Sequence, residues 1–355
     1  MSELFTPYTL RATTFRNRAW VAPMCQYSSV DGHPTDWHLV HLGSLARGGA
    51  GLVISEATAV TAQGRISPFD AGIWNDEQAV DYRRITDFIK AQGAVAGIQL
   101  AHAGRKASTG RPWQGHGPIP VAEGGWQTVG ASALGFGDWP APRELSTDEV
   151  AELPSIFAAA ASRSLEAGFE VAELHAAHGY LLHQFLSPLS NRRSDRYGGD
   201  FAGRTRALLE ITAAVREVWP ADNPLFVRLS ATDWVEGGWD LEQSIAVSAR
   251  LADLGVDLID VSSGGLDPRQ RIAPGPGYQV EFAEAIRSKA GIAVAAVGLI
   301  TAPAQAEQIL ADGQADAIEL ARVLLRDPSW PQRAAHELGD SIAWPPQYER
   351  GRWPS

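Results

Sequence analysis

Phe169-Glu-Val-Ala-Glu-Leu-His-Ala-Ala-His-Gly-Tyr180 is a short apolar run that ends in two histidines, a glycine and a tyrosine. Taken as a strand over 169–174, it delivers His175, His178 and Tyr180 together from its carboxyl end, and Gly179 gives the backbone freedom to turn. Two imidazoles and a phenol around one small volume can hold a carbonyl oxygen, a phosphate or a metal. Seven further apolar, often β-branched runs suit strands buried on both faces, at 19–23, 51–55, 95–100, 225–230, 257–262, 292–297 and 316–320. Amphipathic helical segments separate them. Ser146-Thr-Asp-Glu149 and Asp240-Leu-Glu-Gln243 open two of these segments, and Pro303 stands near the start of a third. Ala167-Gly168 and Leu254-Gly255 read as helix ends.

Eight alternating units make this an α/β chain, and they favour a single (β/α)8 TIM barrel spanning 1–355 as one domain. The competing open, doubly wound sheet lacks its Gly-x-Gly-x-x-Gly after the first strand. The 108–142 stretch, rich in Gly, Pro and Trp, is too long for an ordinary connection and reads as a capping excursion after the third strand. Trp113, Trp126 and Trp139 argue against a disordered linker there. Residues 340–355 form a C-terminal tail.

A formal charge of −11 argues against nucleic acid as a partner. Cys25 is the single cysteine, which excludes an internal disulfide or a cysteine-rich metal centre. With no secretory pattern and no apolar run near the ~20 residues that span a bilayer, a soluble, cytoplasmic protein without membrane partners is expected.

The polar residues fall in register at the carboxyl ends of the strands, where this architecture builds its active sites. Cys25 and Tyr27 follow the first strand and Glu56-Ala57 the second. Gln99 and His102 belong to the third, His175, His178 and Tyr180 to the fourth, and Arg228 to the fifth. Gly298 ends the seventh and Ala321-Arg322 the eighth, where phosphate is frequently held. Singly, each has a plainer reading: Cys25 as a small buried hydrophobe, Arg228 as the partner of a barrel carboxylate, Arg322 as a helix cap. Two histidines three apart lack a third ligand at any zinc-like spacing, so no metal is expected.

These motifs together resemble the flavin-dependent old yellow enzyme family of ene-reductases, in its thermophilic-like subgroup with the xenobiotic reductases. The matching stretches are Ala22-Pro-Met-Cys-Gln-Tyr27, Ser55-Glu-Ala-Thr-Ala59, Gln99-Leu-Ala-His-Ala-Gly-Arg-Lys106 and Glu173 through Tyr180. They continue with Phe185-Leu-Ser-Pro-Leu-Ser-Asn191, Arg196-Tyr-Gly-Gly199, Ala295-Ala-Val-Gly-Leu-Ile300, Arg322-Val-Leu-Leu-Arg-Asp-Pro328 and Gln347-Tyr-Glu-Arg350. The resemblance covers almost the whole chain. It implies an FMN cofactor, contacted by Ala22, Pro23, Met24, Cys25, Ala57, Gln99, Arg228, Gly298, Ala321 and Arg322, and NADPH or NADH as hydride donor. It implies an activated alkene, α,β-unsaturated carbonyl or nitro, as the partner that is reduced. His175 and His178 would hold the substrate oxygen, Tyr180 would donate the proton, Tyr27 would orient the substrate, and Cys25 would tune the flavin.

The resemblance also implies a homodimer or homotetramer in which Arg350 reaches a neighbour's active site. The family usually has glycine where this chain has Ala321, and an added methyl is harmless there only if φ is negative. Two other readings compete with this one: a flavin-free barrel lyase or isomerase acting on a phosphorylated substrate, and a non-catalytic FMN-binding barrel.

Overall fold

The computed structural model describes residues 2–115 and 117–353. Its centre is a closed barrel of eight parallel strands in chain order: β1 (Ala19–Val21), β2 (Leu52–Ala59), β3 (Val95–Ala101), β4 (Val171–Ala176), β5 (Leu225–Ser230), β6 (Leu258–Ser262), β7 (Ala293–Ala296) and β8 (Ala317–Leu320). The crossovers carry α1 (Asp36–Arg47), α2 (Asp76–Ala91), α3 (Thr147–Glu166), α4 (Phe201–Val218), α5 (Leu241–Asp253), α6 (Val280–Ala290) and α7 (Pro303–Ala311), and α8 (Trp330–Glu337) follows β8. The open doubly wound alternative is thereby overturned, because β8 bonds back to β1. None of the helices described is long and apolar enough to cross a membrane.

The start signals act as their chemistry requires. Ser146 accepts from the Glu149 N–H while Glu149 reaches back to the Ser146 N–H, and Asp240 accepts from the Gln243 N–H. Gly168 and Gly255 adopt φ of +90° and +86° just past the ends of α3 and α5. Each satisfied cap contributes about 1 kcal/mol to its helix.

Inward-facing residues stack in layers. The lowest is apolar: Trp20, Leu52, Ile54, Val171, Phe226 and Leu258 pack with Phe15. Phe15 belongs to an antiparallel hairpin, Tyr8–Leu10 with Thr13–Phe15, that the sequence reading missed. Its ring lies 4.6 Å from Trp20, which stacks 5.8 Å from Phe226. Each such side chain contributes roughly 1.5–3 kcal/mol on burial, so the amino-terminal mouth is sealed. Two positions further along the strands the layer is polar, with Glu173, Arg228, Asp260 and Glu319 all buried.

Strand ends shift from the expected positions. β4 runs two residues later than expected, so His175 lies on the strand rather than after it. β2 continues to Ala59 through a bulge between Ser55 and Ala57. The excursion between β3 and α3 is ordered by short 3-10 turns at Pro112–Gln114 and Val121–Glu123 and by the pairing of Val129–Gly130 with Arg143–Glu144. Trp126 and Trp139 are half-buried in it, whereas Trp113 is 65% exposed, meeting the Tyr27 ring edge-on and the Arg111 guanidinium.

Candidate active site

The corner after β4 is strained and tightly held. His178 has φ +59° and Gly179 φ +75°, and a Cβ on Gly179 would lie 2.3 Å from the Gly265 carbonyl oxygen. Only glycine fits there. The His178 N–H donates to Ser230 Oγ (2.9 Å) and the Gly179 N–H to His183 Nδ1 (3.0 Å). Gln184 Nε2 donates to the Gly179 carbonyl at 2.8 Å. Lys106 Nζ donates to the His178 and Gly265 carbonyls, at 2.9 Å each. Buried polar groups so fully paired fix one geometry.

The three rings meet at near-right angles. His175 lies 5.2 Å from His178 at 82° and 5.0 Å from Tyr180 at 77°. The Ala177 N–H donates to His175 Nδ1 at 3.3 Å, which leaves the ring proton on Nε2. His178 Nε2 is 2.7 Å from Ser262 Oγ. Burial, then the Arg228 charge, pushes both imidazoles well below their ordinary pKa. Both are therefore neutral at pH 7, each with one N–H to give. Burial, then the neighbouring Cys25 and Tyr27, pushes the Tyr180 phenol up, so it keeps its proton.

Cys25, Tyr27, Ala57 and Tyr180 belong to one apolar cluster with Trp126. Burial, then Asp70 and Glu56, pushes the Cys25 thiol well up. A neutral thiol is a poor nucleophile. Tyr27 adopts φ +52°, and Arg111 Nε donates to its carbonyl at 3.1 Å. The β2 bulge explains how Ala57 joins this cluster while Glu56 points elsewhere. Glu56 accepts from the Gln26 N–H (2.9 Å) and pairs with His38 Nε2 (2.8 Å), which ties the 22–27 segment down.

Across the barrel mouth, a cavity of about 200 Å³ is lined by Ser262, Gln279, Gly298, Leu299, Ala321 and Arg322. Gly298 has φ +126°, and a Cβ there would stand 2.8 Å from Gln279 Nε2. Ala321 has φ −117°, so its methyl brings no left-handed strain. Arg322 is exposed and forms no ion pair among the described residues. An open guanidinium beside a glycine that lets backbone approach closely fits a phosphate. Deeper in the barrel, Gln99 Nε2 donates to Glu173 Oε1 (2.7 Å), and Arg228 Nε lies 2.7 Å from Asp260 Oδ2. Arg228 thus has the carboxylate partner of its plainer reading. Ala22, Pro23 and Met24 leave β1 beside β8, with the Ala22 N–H donating to Leu320 (3.0 Å).

Arg350 does not join this site within its own chain. It follows Tyr348, whose hydroxyl accepts from Arg47 and whose ring lies 4.6 Å beneath that guanidinium. Arg47 ends α1, at the amino-terminal side of the barrel. His102 also turns away, its Nδ1 accepting from the Gly104 N–H. Neither His175 nor His178 belongs to any metal-sized group among the described residues; the one such group is Glu173, Asp260 and Glu319. Sequence reading missed Lys106 and Ser262 as site residues. Lys106 ends the Gln99–Lys106 motif and Ser262 follows the sixth strand in the register of the other polar residues, so both were in view, but nothing in the sequence gave either a role.

Residues 3–341 match the model of the NADH:flavin oxidoreductase / NADH oxidase family. The NADPH dehydrogenase of Geobacillus sp. (strain WCH70) is 48% identical over 351 residues, covering 98% of each chain. That of Listeria monocytogenes serotype 4a (strain HCC23) is 49% identical over 355 residues, covering 99% of each. Among solved structures, morphinone reductase aligns with TM-score 0.79 and 28% identity, covering 98% of this chain and 92% of its own. An old yellow enzyme homologue from Zymomonas mobilis aligns with TM-score 0.79 and 28% identity, covering 97% of each chain.

Proposed function

The chain belongs to the NADH:flavin oxidoreductase / NADH oxidase family and, like its old yellow enzyme relatives, is an FMN-dependent NADPH oxidoreductase; we propose that it reduces activated C=C bonds of α,β-unsaturated carbonyl or nitro compounds. The observation that carries this reading is the neutral His175–His178 pair set perpendicular beside a protonated Tyr180. Bound FMN would supply the two-electron chemistry, taking hydride from NADPH and giving it to the alkene β-carbon. Arg322 and the backbone at Gly298 would hold its phosphate. Gln99 and Arg228 would face its polar edge, with Ala22, Pro23, Met24, Cys25, Ala57 and Ala321 along its rim.

His175 Nε2–H and, with the Ser262 hydroxyl donating to His178 Nε2, the Nδ1–H of His178 would donate to the substrate oxygen. Charge accumulates on that oxygen as the β-carbon accepts hydride, and preorganised donors there are worth roughly 3–4 kcal/mol each. Ser262 Oγ, at 2.7 Å, would fix which nitrogen of His178 carries the proton. Tyr180 would then transfer its phenolic proton to the α-carbon. A phenol held protonated by burial gives its proton up only to a strong base such as the carbanion just formed. Tyr27 would press the substrate from the cap side. Cys25, as a neutral thiol, would contribute a weak S–H contact rather than a covalent bond.

The test uses the visible spectrum and one substrate. The purified protein is expected to be yellow, to bleach with NADPH without oxygen, and to recover its colour with cyclohexenone. His175→Ala/His178→Ala is expected to keep its FMN and lose alkene reduction by at least about 10²-fold. A colourless protein that takes up no FMN, or one whose activity survives flavin removal, would favour the phosphorylated-substrate lyase. A double variant with undiminished turnover would remove the oxygen clamp. We further propose a homodimer, or a tetramer built from dimers, in which Arg350 completes a neighbour's substrate site; two residues before it, Tyr348 is held by Arg47 at the end of α1, on the amino-terminal side of its own barrel, which supports that reading.

A further inference from the structure

Beneath the histidine corner lies a polar layer that the proposed reaction does not use directly. Glu173 on β4, Asp260 on β6 and Glu319 on β8 are 0%, 0% and 1% exposed, and Arg228 on β5 is 7% exposed. One oxygen from each carboxylate lies within 4.8 Å of the other two. Arg228 Nε is 2.7 Å from Asp260 Oδ2, and Gln99 on β3 donates to Glu173 at 2.7 Å. His175 on β4, His178 just after it and Cys25 after β1 are titratable groups that feel the Arg228 charge from the site side. Below it is the apolar floor.

Three carboxylates against one guanidinium would leave two negative charges uncompensated in a dry interior. Such burial costs several kcal/mol per ion, so the layer must take up protons instead. Asp260 is the carboxyl that touches Arg228, whereas among the described residues no hydrogen-bond donor reaches either oxygen of Glu319, so a charge there has nothing to stabilise it. Burial, then Asp260, holds Glu173 at about 8, and burial with the same neighbours raises Glu319. A divalent cation is the other way to balance three carboxylates, but Arg228 already occupies Asp260 and would repel it.

We propose that this layer is a positioning device for Arg228, in which Asp260 alone is ionised and holds the guanidinium, Glu319 and Glu173 carry protons, and the carboxyl groups together set how much positive charge Arg228 presents to the cofactor. The inference rests on FMN lying above Arg228. Reduced FMN carries more negative charge at its polar edge than the oxidised form, so any loss of compensation below Arg228 favours the reduced state. Asp260 and Glu319 act through Arg228 and touch neither substrate nor reacting atoms.

The holoenzyme provides the test. In Asp260→Asn, reduced FMN is expected to gain about tenfold in affinity relative to oxidised FMN, read as a midpoint potential about 30 mV higher. Glu319→Gln replaces a protonated carboxyl by a neutral amide of the same shape, so its affinity ratio is expected to stay within about twofold of the parent. The infrared spectrum of the parent is expected to show a buried protonated-carboxyl C=O band that Glu319→Gln lacks. This band needs no cofactor reduction, so it separates failure of the layer from failure of the flavin reading, and it stands even if Asp260→Asn does not fold. An unchanged potential in Asp260→Asn, an equal shift in both variants, no missing infrared band in Glu319→Gln, or one bound metal ion per purified chain would each overturn the proposal.

Discussion

Tyr180 keeps its proton because its ring, half-buried against Cys25, Tyr27 and Trp126, sits where burial disfavours the phenolate. In the proposed reaction it would give that proton up only when a stronger base appears beside it. Tyr180→Phe is expected to slow flavin reoxidation by the alkene by about 10²-fold while NADPH still bleaches the flavin at nearly the parent rate. Stopped-flow traces of the two half-reactions decide it; equal slowing of both would show that Tyr180 positions ligands generally. His175, His178 and Tyr180 were legible in the sequence because strand alternation and one glycine fix where they leave the sheet. Lys106 was not, because its burial depends on the cap. Its ammonium lies 4.5 Å from the Phe136 ring and bonds two carbonyls, one of them from the β6–α6 loop. Burial, then Arg105, lowers it to about 8.

At the scale of elements, the loop after β7 is tightly constrained at the proposed phosphate end. Gly298 at φ +126° is followed by Leu299 at +53°, and the Gly298 carbonyl accepts from the Gly277 N–H at 2.9 Å. Gly298→Ala combines an unfavourable backbone with a contact against Gln279, a strain of roughly 1–3 kcal/mol. FMN titration of the apoprotein is expected to give about tenfold weaker binding, and an unchanged Kd would show that this loop does not shape the cradle. Ala321, by contrast, has a negative φ of −117°, which answers the question its methyl raised. Strand ends were less legible than strand identities. The Glu170 N–H already bonds the Ala96 carbonyl although the regular ladder starts at Val171, so β4 begins gradually and carries His175 further into the barrel than the apolar run implied. The β2 bulge left no mark in composition, since a single extra residue changes no apolar pattern.

For the whole molecule, the barrel places one chain's tail and its substrate corner at opposite ends, so any catalytic use of Arg350 must come from a second copy. If it does, a heterodimer of one Tyr180→Phe chain and one Arg350→Ala chain contains one complete site, and its alkene reduction is expected to return to about half the parent rate. Activity no better than that of the single variants would place Arg350 outside the reaction. The sequence by itself determined the eight strand–helix units, their helix caps and the concentration of polar residues at the carboxyl ends. Those depend on local periodicity and on interactions a few residues apart. Only the tertiary structure decided which polar groups meet, because Arg228 with Asp260, Lys106 with Gly265 and His178 with Ser262 come from different strands and loops, far apart in the chain. It also decided their protonation, since whether an imidazole, phenol or carboxyl is charged follows from how completely the closed barrel and its cap remove it from water.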